Sequence, residues 1–369
     1  MKRFLSLVCL AALAIILPAA AMISRGLPAD TRPYVEKKYA GWSGVLRAWV
    51  YCDWPAGGSL TRWLNGCAAD FERAHDGVYI EFAQVHAGAM AQMEASGIRP
   101  PELLLFSPGT RVDASKLLPL DFGALRPELR RDARAIPVAM GGYISARNPE
   151  LRGGALCVPE DGARRYSAAL IALANGTSDE ARPTPEPPGL DLGLPAMAAG
   201  GDLVFAEDAY ARFAAGEAAA TIVTQREIAK LSALREAGRG PEWALEISGA
   251  CAYTDQLLFA SVRAPDAADA DAAARAELAA EFVALLLEEA SQARLADAGA
   301  FGVCGAAIHS DFSPYAPLDA LLNMRELIAP APFSEQYAAD SAQIVRMLWS
   351  GALSPEAALA RLRASMPGE

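Results

Sequence analysis

Residues Glu281 to Val303 read EFVALLLEEASQARLADAGAFGV, a long helix, a break and a short return. Just upstream, an acidic, alanine-rich stretch follows Pro265. Leu278, Phe282, Leu285 and Leu286 then recur at helical spacing and mark a single apolar face. A helix patterned in this way is expected to cover one lobe of the fold.

The first strands lie in the amino-terminal third. From Gly44 the sequence VLRAWVY reads as an opening strand, followed by a turn containing Pro55, Gly57 and Gly58 and an amphipathic helix from about Ser59 to His75. Val78 to Val85 alternates as a second strand, a helix rich in Ala and Met follows, and Leu103 to Phe106 is a short apolar third strand. This β-α-β-α-β order implies a parallel sheet whose ligand crevice lies beyond the carboxyl ends of its strands. Cys52-Asp53-Trp54-Pro55 and Ser107-Pro108-Gly109 occupy those ends and are candidate pocket walls.

Further along, Ile136 to Leu151 is apolar and punctuated by Gly141-Gly142 before Tyr143, as where a chain crosses between lobes. Thr177 to Gly193 holds four prolines and several acids, which exclude a persistent helix or central strand and predict a surface loop. Phe213 to Gln225 resembles the helix end, strand and inward-pointing loop of two-lobed binding proteins, with Gln225 facing the cleft, and Cys251 to Ser261 resembles their second crossing, with Tyr253 and Asp255 beside it. A third crossing is expected after Gly302-Val303. Ser354 and Pro355 fit the N-cap and first position of a final helix.

Taken in order, these four patterns and the Glu281 to Val303 segment resemble the solute-binding proteins of ABC transporters, of the extracellular carbohydrate type. The likeness runs from about Val45 to Met366. It implies an α/β, two-lobed fold of the periplasmic-binding-protein type 2, with three interlobe crossings and a ligand cleft between the lobes. Residues 44–141 with 252–302 would form lobe 1, and 142–251 with 303–369 lobe 2. It further implies a monomer that hands its solute to ABC permease subunits driven by a separate ATPase. Two departures limit the transfer. Family members often carry a Pro-x-Thr-Trp turn after the first crossing, where this chain has Cys157-Val158-Pro159-Glu160 leading to Arg164-Arg165-Tyr166, and many sugar binders have Trp where Gln225 stands.

Composition narrows the compartment and the partners. Lys2 and Arg3 precede an apolar run from Phe4 to Ile23 with Ala19-Ala20-Ala21 near its end, which reads as a signal peptide or, uncleaved, a signal anchor over residues 1–23. The chain is expected to be exported, periplasmic or on the outer cell surface. Removing the segment leaves about 348 of 369 residues, enough for two lobes. Cys9 lacks the small residues of a lipobox. The net charge of -11 includes no basic cluster, which argues against nucleic-acid binding. The five remaining cysteines show no Cys-x-x-Cys spacing, and they read either as packed thiols or, for Cys52 with Cys67, as a disulfide joining the first strand to the first helix.

Catalytic signatures are missing. The chain has no Gly-x-Ser-x-Gly elbow, no His-Glu-x-x-His and no phosphate or dinucleotide loop, so no cofactor is expected and enzyme becomes the weaker class. Its three histidines, His75, His86 and His309, follow helix or strand ends or stand apart. Asp269-Ala270-Asp271 lacks the rest of a calcium loop and reads as a solvated helix start. Tyr143, Tyr253 and Tyr315 fall near crossings without an adjacent tyrosine pair, which disfavours iron. Asp53 with Asp255 is the one acid pair to test for hydrolysis. Recognition of a neutral polar solute such as a sugar calls for aromatic faces together with groups that both donate and accept. Trp54, Tyr143 and Tyr253 are candidates to stack, and Ser107, Gln225 and Asp255 to hydrogen-bond. Trp42, Trp49, Trp63, Trp243 and Trp349 fall on strand or helix patterns and are expected in the core or at its rim. The alternative to solute capture is a membrane-tethered sensor or scaffold on the same fold, and the mature amino terminus separates the two.

Overall fold

The computed structural model describes residues 42–92, 100–151, 156–158, 203–205, 208–247 and 251–333, with single positions between 343 and 364. In chain order its elements are β1 (Gly44–Tyr51), α1 (Leu60–Ala74), β2 (Val78–Gln84), α2 (Ala87–Ala91), β3 (Leu103–Phe106), β4 (Ile136–Met140), β5 (Tyr143–Arg147), β6 (Leu156–Val158) and β7 (Leu203–Phe205). There follow α3 (Ala209–Ala214), β8 (Ala220–Thr224), α4 (Gln225–Glu236), β9 (Ala244–Glu246), β10 (Cys251–Tyr253), β11 (Leu257–Val262) and α5 (Ala272–Leu286). The last are α6 (Glu289–Ala293), α7 (Leu295–Ala298), α8 (Ala316–Met324) and β12 (Glu326–Ile328). The signal segment, the proline-rich stretch at 177–193 and the Ser354-Pro355 cap lie outside the described residues.

Among the described residues, two five-stranded sheets and a two-stranded ribbon organise the chain. The first has the order β2-β1-β3-β11-β4, in which β1 runs parallel to β2 and β3 as the β-α-β-α-β pattern requires. β11 enters between β3 and β4, antiparallel to both, although it comes from more than a hundred residues downstream in sequence order. The second sheet has the order β7-β6-β8-β5-β9. β10 and β12 pair in parallel outside both sheets.

The first sheet is buried by helices whose spacing was visible in the sequence. Ser59 caps α1 by accepting from the Arg62 amide at 3.2 Å, and α1 turns Trp63, Leu64, Cys67, Ala68 and Phe71 inward. From α5, Phe282 meets Phe71 edge-on at 5.5 Å between ring centroids and lies 6.2 Å from Phe82 of β2. Each fully buried ring of this kind contributes about 2–3 kcal/mol of hydrophobic stabilisation. The segment from Glu281 therefore lies against this sheet: α5 stops at Leu286, and α6 and α7 make the return.

That return ends on Gly299, whose φ of +60° is a left-handed helix stop. A side chain there would also strike the Gly57 Cα at 2.7 Å. Glycine is thus required twice over. In its place the backbone takes the loop after β1 in hand, with Gly57 N–H donating to the Gly299 carbonyl at 2.9 Å and Gly58 N–H to Ala298 at 2.8 Å.

Three passages of backbone join the lobes built on the two sheets. The first is Gly141-Gly142 between β4 and β5, and the second is Thr254-Asp255-Gln256 between β10 and β11. The third leaves Phe301, which exchanges both backbone hydrogen bonds with Met140, and leads to α8, packed against β5, β9 and β10. Arg126 fastens this third passage: its amide donates to the Val303 carbonyl at 3.1 Å and its buried guanidinium to the Leu322 carbonyl at 2.6 Å.

Candidate functional site

The loops at the carboxyl ends of β1 and β3 are tied together. Asp53 N–H donates to the Ser107 hydroxyl at 2.9 Å, and Ser107 N–H donates to the Tyr51 carbonyl at 3.1 Å. Trp54 points inward from the same loop. It is 3 % exposed, and its indole N–H donates to the Leu257 carbonyl of β11 at 3.1 Å. Here its rings belong to the core of the first lobe.

The second constellation sits on the crossings. Tyr143 donates its hydroxyl to the Asp255 carboxylate at 2.7 Å, and its ring stacks on Tyr253 with centroids 6.2 Å apart. Gly141 N–H donates to the Gln256 carbonyl at 2.7 Å, while the Thr254 hydroxyl donates back to the Gly141 carbonyl at 2.7 Å. A Cβ on Gly141 would overlap the side-chain amides of Gln225 and Gln256, so the first crossing passes only as glycine. Both crossings are thus one hydrogen-bonded unit, buried and polar.

Gln225 links the two constellations. Sequence analysis puts it on an inward-pointing loop, and the structure corrects that: it is the first residue of α4. The physical reason is the capping box, in which Thr224 and Glu227 satisfy one another's amides and start the helix directly at the strand end. Fully buried, Gln225 accepts from Gly142 N–H at 3.1 Å and donates to Gln256 Oε1 at 2.6 Å. Its amide also donates to the Pro55 carbonyl at 2.8 Å, across from the lobe of α4 to the loop after β1.

All six candidate residues therefore converge on the junction of the lobes, and all are buried. Ser107 and Trp54 hold the rim of the first lobe, Tyr143, Tyr253 and Asp255 build the crossings, and Gln225 spans the gap. The space left open lies just outside them. A groove of about 480 Å³ separates Pro55, Ala56, Gly57 and Gly58 from Arg226, Ala229, Lys230 and Ala233 of α4. Sequence reading did not single out Arg226 and Lys230. Their signal was positional: 226, 229, 230 and 233 form the helical stripe opposite the buried Ile228 and Leu231.

Beneath the groove the Tyr315 hydroxyl packs against Gly57, and burial pushes its proton affinity up. A second hollow of about 370 Å³ lies at the amino end of β3, where Arg275 is already paired with Glu102 at 3.1 Å and Asp269 at 2.5 Å. Cys52 and Cys67 are not bridged to each other, and burial raises the pKa of Cys67, Cys157 and Cys304. Among the described residues no group of His, Cys, Asp and Glu side chains could hold a metal ion, and no helix is long and apolar enough to cross a membrane.

Two lobes, three crossings and a groove between facing loops can be set beside solved structures. The cyclic alpha-maltosyl-1,6-maltose binding protein from Arthrobacter globiformis superposes with a TM-score of 0.59 at 14% identity, covering 88% of this chain and 98% of its own. The chain has the two-lobed type 2 periplasmic-binding-protein fold. The GacH receptor of Streptomyces glaucescens shares this fold at a TM-score of 0.53 and 13% identity, over 88% of this chain and 97% of that one. The maltose/maltodextrin-binding domain MalE from Bdellovibrio bacteriovorus does so at 0.50 and 15%, over 88% and 98%. No family model matches the sequence, and no curated protein matches it either.

Proposed function

We propose that this chain is an exported capture protein that closes its two lobes around a small polar solute, a sugar or oligosaccharide, and delivers it to an ABC permease. The observation that carries this reading is the groove, where the loop after β1 faces α4 of the other lobe across a junction crossed by three passages of backbone. A guest lodged there touches both lobes only when they are closed, so its binding free energy pulls an open-closed equilibrium toward closure. A preference for the closed form of about 1.4 kcal/mol changes the ratio about tenfold. No covalent bond is made or broken in that cycle.

The lobes divide at residues 44–141 with 257–302 and at 142–253 with 303–369, because β10 pairs with β12 and the second crossing is Thr254-Asp255-Gln256. Ser107, Tyr143, Gln225, Tyr253 and Asp255 form the floor that opening uncovers, with Trp54 supporting it from the core of the first lobe, and Gln225 is uncovered most directly because its bond to Pro55 must part. The apolar segment Phe4 to Ile23 supports export, and the fold shared with a maltodextrin-binding domain and a maltosyl-maltose binding protein supports a carbohydrate guest.

A thermal-shift screen against sugars, oligosaccharides, sugar acids, sugar phosphates, peptides and metal ions tests the reading. A solute at 100 times its dissociation constant adds about 2.7 kcal/mol of stability and raises the midpoint accordingly. A carbohydrate hit that is weakened by Gln225→Ala supports the site. Stabilisation by metal ions or peptides alone, with every carbohydrate silent, would remove it.

A further inference from the structure

The groove between Pro55–Gly58 and α4 offers hydrogen-bond donors and no side-chain acceptor. Its wall on the first lobe is Pro55, Ala56, Gly57 and Gly58, none of which has a polar side chain. The Gly57 and Gly58 amides are committed to Gly299 and Ala298, and the Pro55 carbonyl already accepts from Gln225. The wall on the second lobe is the stripe Arg226, Ala229, Lys230 and Ala233, in which two small residues leave the two cations standing clear on successive turns.

Guanidinium and ammonium groups donate and cannot accept. A neutral sugar presents hydroxyls that do both and is poorly matched by such a wall. Anionic oxygen, which only accepts, is matched well, and the planar fork of Arg226 is suited to bind it in a bidentate manner. The cations are also available. Among the described residues Arg226 has no ion-pair partner, and Lys230 rests over the Tyr210 ring at 5.2 Å rather than on a carboxylate. The contrast with the hollow at the amino end of β3 is direct, since Arg275 there is neutralised by Glu102 and Asp269. The chain carries a net charge of -11, yet both charged residues of this lining are positive.

We propose that the guest of this groove is an acidic carbohydrate whose carboxylate or phosphate is held between Arg226 and Lys230. This rests on the capture reading above and names the class of solute captured.

The test is isothermal titration of the full chain with matched pairs, galacturonate against galactose and glucose 6-phosphate against glucose, in 0.01 M and 0.15 M salt. The acidic member of at least one pair is expected to bind about tenfold tighter than its neutral partner, a difference of about 1.4 kcal/mol. That advantage shrinks at the higher salt, where the screening length falls from about 30 Å to about 8 Å. Response to the uronate identifies a carboxylate guest, and response to the phosphate ester a phosphorylated one. The double variant R226Q/K230Q is expected to lower affinity for the acidic ligand about tenfold while its melting temperature stays at the wild-type value. Equal or tighter binding of the neutral partners, or an acidic ligand indifferent to R226Q/K230Q, overturns the inference and leaves capture of a neutral sugar standing. Silence from every carbohydrate, acidic and neutral, overturns both.

Discussion

Truncating Gln225 to alanine strikes a side chain that ties the loop after β1, both crossings and α4 together. Three hydrogen bonds are lost: from Gly142 N–H at 3.1 Å, to Gln256 Oε1 at 2.6 Å and to the Pro55 carbonyl at 2.8 Å. Each such bond is worth about 1 kcal/mol net, so the folded state loses about 3 kcal/mol if the partners stay dry. Only the Pro55 bond crosses the gap. Its loss alone biases the lobes toward opening by about 1 kcal/mol, roughly fivefold in population. Urea unfolding reads the first quantity and small-angle scattering of the ligand-free chain reads the second, as a larger radius of gyration. Gln225→Glu sharpens the result, because it keeps an acceptor for Gly142 but turns two donors into an oxygen facing two oxygens, and it is expected to open the lobes further than alanine does. A Gln225→Ala protein within about 0.5 kcal/mol of wild type, with an unchanged scattering curve, would refute the assignment of Gln225 as the tie.

Gly141→Ala inserts a methyl group onto the side-chain amides of Gln225 and Gln256, and it is expected to lower stability by about 1–3 kcal/mol in urea unfolding; a wild-type midpoint would show that the crossings are loose. Trp54→Phe keeps an aromatic ring in the first lobe but leaves the Leu257 carbonyl unpaired, for a loss of about 1–2 kcal/mol, whereas Trp54→Ala is expected to lose about 3–5 kcal/mol. If the two variants unfold together, the indole is not core packing. The Arg134 guanidinium beside Asp132 holds that carboxyl below its ordinary 3.8. A lowered folded-state pKa stabilises above the unfolded value, and that contribution is lost as pH falls through the lowered value. Because the pair is partly exposed the contribution is a few tenths of a kcal/mol, and Arg134→Gln should remove it from the stability profile between neutral pH and pH 3. Coincident profiles would disprove the pairing.

Much of the fold could be read from local pattern. Leu103 to Phe106 stands as a strand because a short apolar run after two prolines has little else to become, and Ser59 starts α1 where its hydroxyl meets the Arg62 amide. Gly141-Gly142 marks the first crossing because no side chain fits beneath Gln225. What local pattern lacks is pairing. That β11 slots antiparallel between β3 and β4 depends on contacts across more than a hundred residues, and nothing in LLFASV specifies its neighbours. Gln225 was misplaced for another reason: Thr224 and Glu227 spell a capping box, and that signal outranks a turn after a strand. Trp54 shows the limit at the site, since an aromatic residue in a loop beyond a parallel strand fits a stacking platform and a core anchor equally well until its indole N–H is seen on Leu257. Arg226 and Lys230 escaped notice because their meaning comes from the loop opposite them.

In the proposed cycle the two lobes swing about Gly141-Gly142, Thr254-Asp255-Gln256 and the passage after Phe301 to enclose a solute. Small-angle scattering of the chain with and without a solute that stabilises it measures that swing directly. The saturated protein is expected to be more compact than the free one, with the difference abolished in a variant that can no longer hold the solute. A solute that raises the melting temperature yet leaves the scattering curve unchanged would contradict it.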